Sequence, residues 1–127
     1  MTRAIADTSV FVAQETGREL DELPEEIAVS VITAAELELG VLRANDTNAR
    51  AVRLATLSRV QATYPLLPVD PEVASCFARL ASAELARGRR LRRHDTWIAA
   101  TAMRHGAAVL TQDADFSSFD EVTVLRV

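Results

Sequence analysis

The apolar positions of this chain fall into short runs separated by longer stretches with helical spacing. Arg3 to Ala6 predicts a strand that ends at Asp7, and Thr8 to Gln14 a brief helix behind it. Leu20 to Glu26 is polar around Pro24 and could hold another short helix. Ile27 to Ser30 reads as a second strand. Thr33 to Arg43 carries Ala35, Leu39 and Leu42 on one helical stripe. Asn45 to Gln61 continues as a helix with Val52, Ala55 and Val60 among its apolar positions, so the two form a hairpin broken at Asn45-Asp46. Leu66 to Val69 is the third strand. Asp70 and Pro71 are good chemistry for the cap and first position of a long helix reaching Gly88. Arg89 to His94 reads as an arginine-rich connection. Asp95 opens a helix that Gly106 stops near His105. Ala108 to Thr111 and Thr123 to Arg126 are the last strands, with an acidic turn at Asp113 to Asp115 between them. Strands alternating with helices predict an α/β fold, with a central, mostly parallel sheet of four to five strands flanked by helices.

At 127 residues the chain is expected to be one domain, residues 1–127. An apolar share of 49% is enough for a core. No stretch approaches the ~20 apolar residues of a membrane span, and the N-terminus does not read as a signal peptide, so a cytoplasmic protein with no membrane partner is expected. Cys76 is the only cysteine, which excludes an intramolecular disulfide; with two histidines it also excludes a Cys/His zinc site. Every basic side chain is arginine, which excludes any mechanism that needs a lysine. The net charge of −4 is opposite to that of most nucleic-acid binders, unless some of the acids serve a metal.

Where the acids fall changes the picture. Asp7 follows the first strand, Glu36 lies in the first turns after the second, Asp113 follows the fourth, and Asp95 stands at a helix start. In open parallel sheets, ligand sites gather beyond the carboxyl ends of the strands. Each acid alone has an ordinary explanation: Asp7 and Asp95 as helix caps, Glu36 and Glu38 as a solvated face, Asp113 and Asp115 as turn residues. Together they recur at the ends of elements that should be neighbours. Converging carboxylates need a cation between them, and an all-oxygen donor set selects Mg²⁺ or Mn²⁺.

Four blocks, DTSVF, SVITAAELELGV, HDTWIAATA and VLTQDADF, resemble in content and order the PIN-domain ribonucleases, and among them the VapC-type toxins. The resemblance implies a Mg²⁺- or Mn²⁺-dependent endoribonuclease, the toxin of a type II toxin–antitoxin pair. Its partners would be RNA, a small cognate antitoxin and a second copy of the chain in a homodimer. It further implies that Asp7, Glu36, Asp95 and Asp113 are the catalytic acids. Asp7, Asp95 and Asp113 would hold metal, Glu36 would be the second acid, able to bind through water, and Asp115 would be an auxiliary ligand, direct or through water. Thr8, Ser9 and Thr111 would support them. Glu38 has no counterpart in the family pattern and reads as surface.

The arginines Arg87, Arg89, Arg90, Arg92 and Arg93 lead directly into Asp95 and could hold RNA phosphates, which guanidinium forks match well. His94 reads as a helix-entry residue or a substrate contact, and Trp97 as packing before it reads as a stacking platform. Other acid-bearing folds fit less well. A receiver domain needs a lysine. A von Willebrand-type adhesion motif needs a hydroxyl where Phe11 stands, and a haloacid-dehalogenase-like phosphatase needs an aspartate where Ser9 stands. The alternatives that survive are a PIN-fold RNA-processing nuclease outside any toxin pair and a PIN-fold binding module with little activity.

Overall fold

The computed structural model describes residues 3–114, 116 and 119–127. Five strands, β1 (Arg3–Ala6), β2 (Glu26–Ser30), β3 (Leu66–Leu67), β4 (Ala108–Thr111) and β5 (Val124–Arg126), form one sheet in the order β3-β2-β1-β4-β5. Every pairing is parallel. The helices are α1 (Thr8–Glu15), α2 (Val31–Leu42), α3 (Thr47–Thr63), α4 (Pro71–Ala86) and α5 (Arg93–His105).

β1 is the central strand, and its pleat divides the core. Ile5 points to one face, where it joins Val73, Leu80, Ile98 and Val109 beneath α4 and α5. Ala4 and Ala6 point to the other, with Phe11, Leu37, Val41, Leu57, Val60 and Leu110 beneath α1, α2 and α3. The order of the sheet puts the carboxyl ends of β1, β2 and β4 side by side, and Asp7, α2 and Asp113 follow from those ends.

Several boundaries differ from the sequence reading. Leu20 to Glu26 forms no helix, and Glu26 already belongs to β2. β3 is shorter than expected because only Leu66 and Leu67 find partners on β2. The predicted stripe on α2 faces outward: Leu39 and Leu42 are exposed, while Thr33, Leu37 and Val41 are buried. Val52 and Ala55 are likewise exposed on α3, where Thr56, Leu57 and Val60 carry the packing. α2 is apolar on more than one face, so its periodicity cannot select the face that packs. α5 begins at Arg93 with Arg92 as its cap residue, so Asp95 lies inside the first turn rather than at the start. Gly106 ends that helix in the left-handed conformation (φ 61°), as expected.

Candidate active site

Asp7 is a buried acid. It is 6% exposed, and its backbone N–H continues the ladder by donating to Leu110 O at 2.8 Å. It stands at the cap position of α1, yet its side chain makes no capping bond. Its Oδ2 instead accepts from Ser9 Oγ at 2.7 Å and Thr111 Oγ1 at 2.9 Å. The same two hydroxyls bind the end of β4. Ser9 Oγ accepts from Gln112 N at 2.9 Å, and Thr111 Oγ1 from Asp113 N at 2.9 Å. Ser9 and Thr111 thus tie Asp7 to the segment that carries Asp113.

Glu36 reaches the same mouth from α2. Its Oε1 accepts from Thr8 Oγ1 at 3.0 Å, and its Oε2 lies 3.6 Å from His94 Nδ1. Thr8 therefore supports Glu36 rather than Asp7. Burial raises the Glu36 pKa and Asp7 adds to the rise, while the Thr8 hydrogen bond and His94 oppose it. Asp95 comes from the first turn of α5, where its Oδ2 lies 3.1 Å from Arg92 Nη1. Its pKa is pushed up to about 6, first by burial and then by Asp7, with further contributions from Asp113 and Glu36; Arg92 works against them. Asp95 therefore feels the charge of Asp7, Asp113 and Glu36, and Glu36 feels that of Asp7. Asp115 lies outside the described residues.

This crowding of negative charge on an all-oxygen donor set suits a hard divalent cation. Among the described residues no three acid, histidine or cysteine side chains are drawn tightly enough together to make a ready-formed cation site. The acids are instead held by partners within the protein: Asp7 by two hydroxyls, Glu36 by Thr8, Asp95 by Arg92.

The arginine segment divides in two. Arg87 lies 3.8 Å from Glu84 and 3.2 Å from Asp120, and Arg89 lies 3.2 Å from Glu84. Glu84 is 3% exposed, a buried acid that the sequence reading did not single out. Its spacing of three and five residues from these arginines was the available signal. Arg90 and Arg93 are exposed and make no ion pair among the described residues. Arg92, Arg93 and His94 line a groove of about 400 Å³ together with Leu91, Glu36 and Asp95. Trp97 stacks on Phe77 of α4 with ring centroids 3.9 Å apart, which makes it a packing residue.

Residues 4–122 match the PIN domain. The chain belongs to the PIN-domain family, among its VapC ribonucleases. It is 48% identical to Ribonuclease VapC5 of Mycobacterium tuberculosis, over 97% of this chain and 94% of that one. It is 43% identical to Ribonuclease VapC4 of the same organism, over 98% and 97%. Among solved structures it resembles the VapBC-5 toxin–antitoxin family member from M. tuberculosis, with a TM-score of 0.90 and 45% identity over all of both chains. A PIN-domain VapC ribonuclease is an α/β protein with a parallel sheet, as found here.

Proposed function

We propose that this chain is an endoribonuclease that hydrolyses RNA phosphodiester bonds with a divalent cation, Mg²⁺ or Mn²⁺, and that it is the toxin of a toxin–antitoxin pair. The observation that carries the reading is the meeting of Asp7, Glu36, Asp95 and Asp113 at the carboxyl edge of a parallel sheet in a VapC-family chain. Asp7, Asp95 and Asp113 would hold the cation. When bound, it would polarise the scissile phosphate, activate a water and stabilise the leaving oxygen.

The chain's own residues have distinct tasks in this reading. Ser9 and Thr111 orient Asp7 through Oδ2, and its Oδ1 carries neither of these bonds. Glu36 sits at the rim, where its raised pKa and the nearby His94 suit it to take a proton from water at Oε2. Exposed Arg90 and Arg93 offer forks to RNA phosphates beside the cleft. The cleft's negative charge would attract a cationic side chain of a small antitoxin, and the VapBC-5 relative is described as a member of a toxin–antitoxin family. No described helix is long and apolar enough to cross a membrane. The cytoplasm and a homodimer are the location and assembly that the resemblance to the VapC ribonucleases implies for this chain.

Purified protein should cleave RNA with Mg²⁺ or Mn²⁺ and stop with a chelator. Asp7→Asn and Asp95→Asn should each lower the rate by a factor on the order of 100 or more while leaving the circular dichroism spectrum unchanged. Full activity in chelator would overturn the reading.

A further inference from the structure

The cation beside Asp95 belongs to the protein itself. Arg92 Nη1 lies 3.1 Å from Asp95 Oδ2, and the Arg92 guanidinium carbon lies 5.4 Å from the centre of the Phe119 ring. The Arg92 backbone is fixed, because its carbonyl accepts from both Thr96 N at 2.9 Å and Thr96 Oγ1 at 2.6 Å. Any adjustment of this residue must therefore occur in its side chain. The side chains of Arg92 and Asp95 are 27% and 26% exposed, so water reaches the pair and keeps it weak enough to exchange. The contrast is with Glu84, whose side chain is 5% exposed against Arg87 and Arg89. Arg92 also lines the groove that runs past Glu36 and His94.

We propose that Arg92 is a built-in counter-ion for Asp95: it holds that carboxylate in the cation-free protein, releases it when a divalent cation binds, and then faces RNA phosphate in the groove. The inference rests on the metal-dependent nuclease reading above. A guanidinium and a divalent cation on the same carboxylate repel each other and share its one negative charge, so a cation bound at Asp95 weakens the Arg92 pair. The Phe119 ring, 3% exposed and fixed in the core, offers the guanidinium a face to rest on once Asp95 is gone.

The competition has a measurable sign. The apparent affinity for a ligand is reduced by the fraction of protein not competent to bind it. Removing the guanidinium should therefore tighten cation binding, although it removes a contact. In calorimetric titrations without RNA, R92Q should bind Mn²⁺ roughly three- to tenfold more tightly than the wild type. If Arg92 served only to shape the start of α5, the affinity would stay the same. If it preorganised Asp95 for metal, the affinity would fall. Either result in a folded R92Q overturns the proposal. A second measurement uses the wild type alone: saturating Mg²⁺ should move an arginine Nε–H resonance in ¹⁵N-edited spectra, the one absent from R92K. If no arginine Nε–H resonance moves, the proposal fails even if R92Q does not fold. A wild type that takes up no Mn²⁺ at all would overturn the nuclease reading, and this inference with it.

Discussion

Three aspartates stand at helix cap positions in this chain, and their side chains separate structure from chemistry. Asp46 and Asp70 cap their helices by accepting from Ala49 N at 2.7 Å and Val73 N at 2.8 Å. Asp7 occupies the equivalent place on α1 and leaves the backbone to cap itself. Its carboxylate accepts instead from Ser9, which is half-buried, and from Thr111, which is fully buried. A sequence cannot make this distinction, because all three read as Asp before a helix. What the sequence does reveal is that Asp7 belongs to a DTS block and Asp113 to a TQDAD block. The link between those blocks is Thr111, fully buried between Asp7 and Asp113 N. Thr111→Val keeps the shape and removes the hydroxyl. It should cost about 1–2 kcal/mol in urea unfolding and lower RNA cleavage at least tenfold, because Asp7 loses one of its two orienting donors. Thr101→Val is the control. Thr101 is also fully buried, but its hydroxyl bonds Trp97 O within α5 at 2.9 Å, so its loss should change stability and spare the cleavage rate. Equal losses of activity in the two variants would count against the orienting role.

At the scale of elements, the short segment between α4 and α5 carries two functions that look alike in sequence. Arg87 and Arg89 fold back on Glu84 and close the end of α4, while Arg90 and Arg93 face outward. A run of arginines says only that charge is present. Which charges are spent internally depends on a buried acid from the preceding helix. The two halves should therefore respond differently. Replacing Arg90 and Arg93 by Gln should flatten the log–log salt dependence of RNA binding by about 0.7 per lost contact and leave stability alone. Replacing Arg87 or Arg89 should leave the salt slope nearly intact and cost on the order of 1–2 kcal/mol. Each change leaves Glu84 buried with less compensation, and the outer halves of these arginines already face water. Titrations of RNA binding at several salt concentrations, paired with urea melts, check both halves. A slope carried by Arg87 and Arg89 would reverse the assignment. The helices themselves were legible where a strong signal marked an end, as at Pro71 and Gly106. They were misread where apolar residues covered two faces, as on α2, because burial there is chosen by the neighbouring helix and not by spacing.

Across the whole molecule, the alternation of strands and helices was enough to predict a parallel α/β sheet, and the order of the sheet then brings the acids together. The order itself was not legible, since it depends on which strand accepts β4 as its neighbour. The consequence of that order is electrostatic. Asp95 faces three other carboxylates, and its pKa rises from the ordinary aspartate value of 3.8 to about 6. Between those values the folded protein binds a proton that the unfolded chain does not, so cation-free stability falls as pH rises through the window. The penalty is complete above pH 6 or so and vanishes only well below 3.8. Burial also raises Glu36, which acts in the same direction. Asp95→Asn removes the titration. In chelator it should therefore be more stable than the wild type near pH 7, by about 1–2 kcal/mol once the water that reaches this site is allowed for. That advantage should shrink to about a third by pH 4.5 and approach zero only well below the unfolded pKa of 3.8. A bound cation should invert the comparison. It stabilises only the folded wild type, by about 2.7 kcal/mol at a hundredfold excess over Kd, and the variant should gain much less. Urea unfolding of both proteins at pH 4.5 and 7, with chelator and with Mn²⁺, measures every term. An advantage of Asp95→Asn that did not change with pH would mean that it came from elsewhere than the crowded cleft.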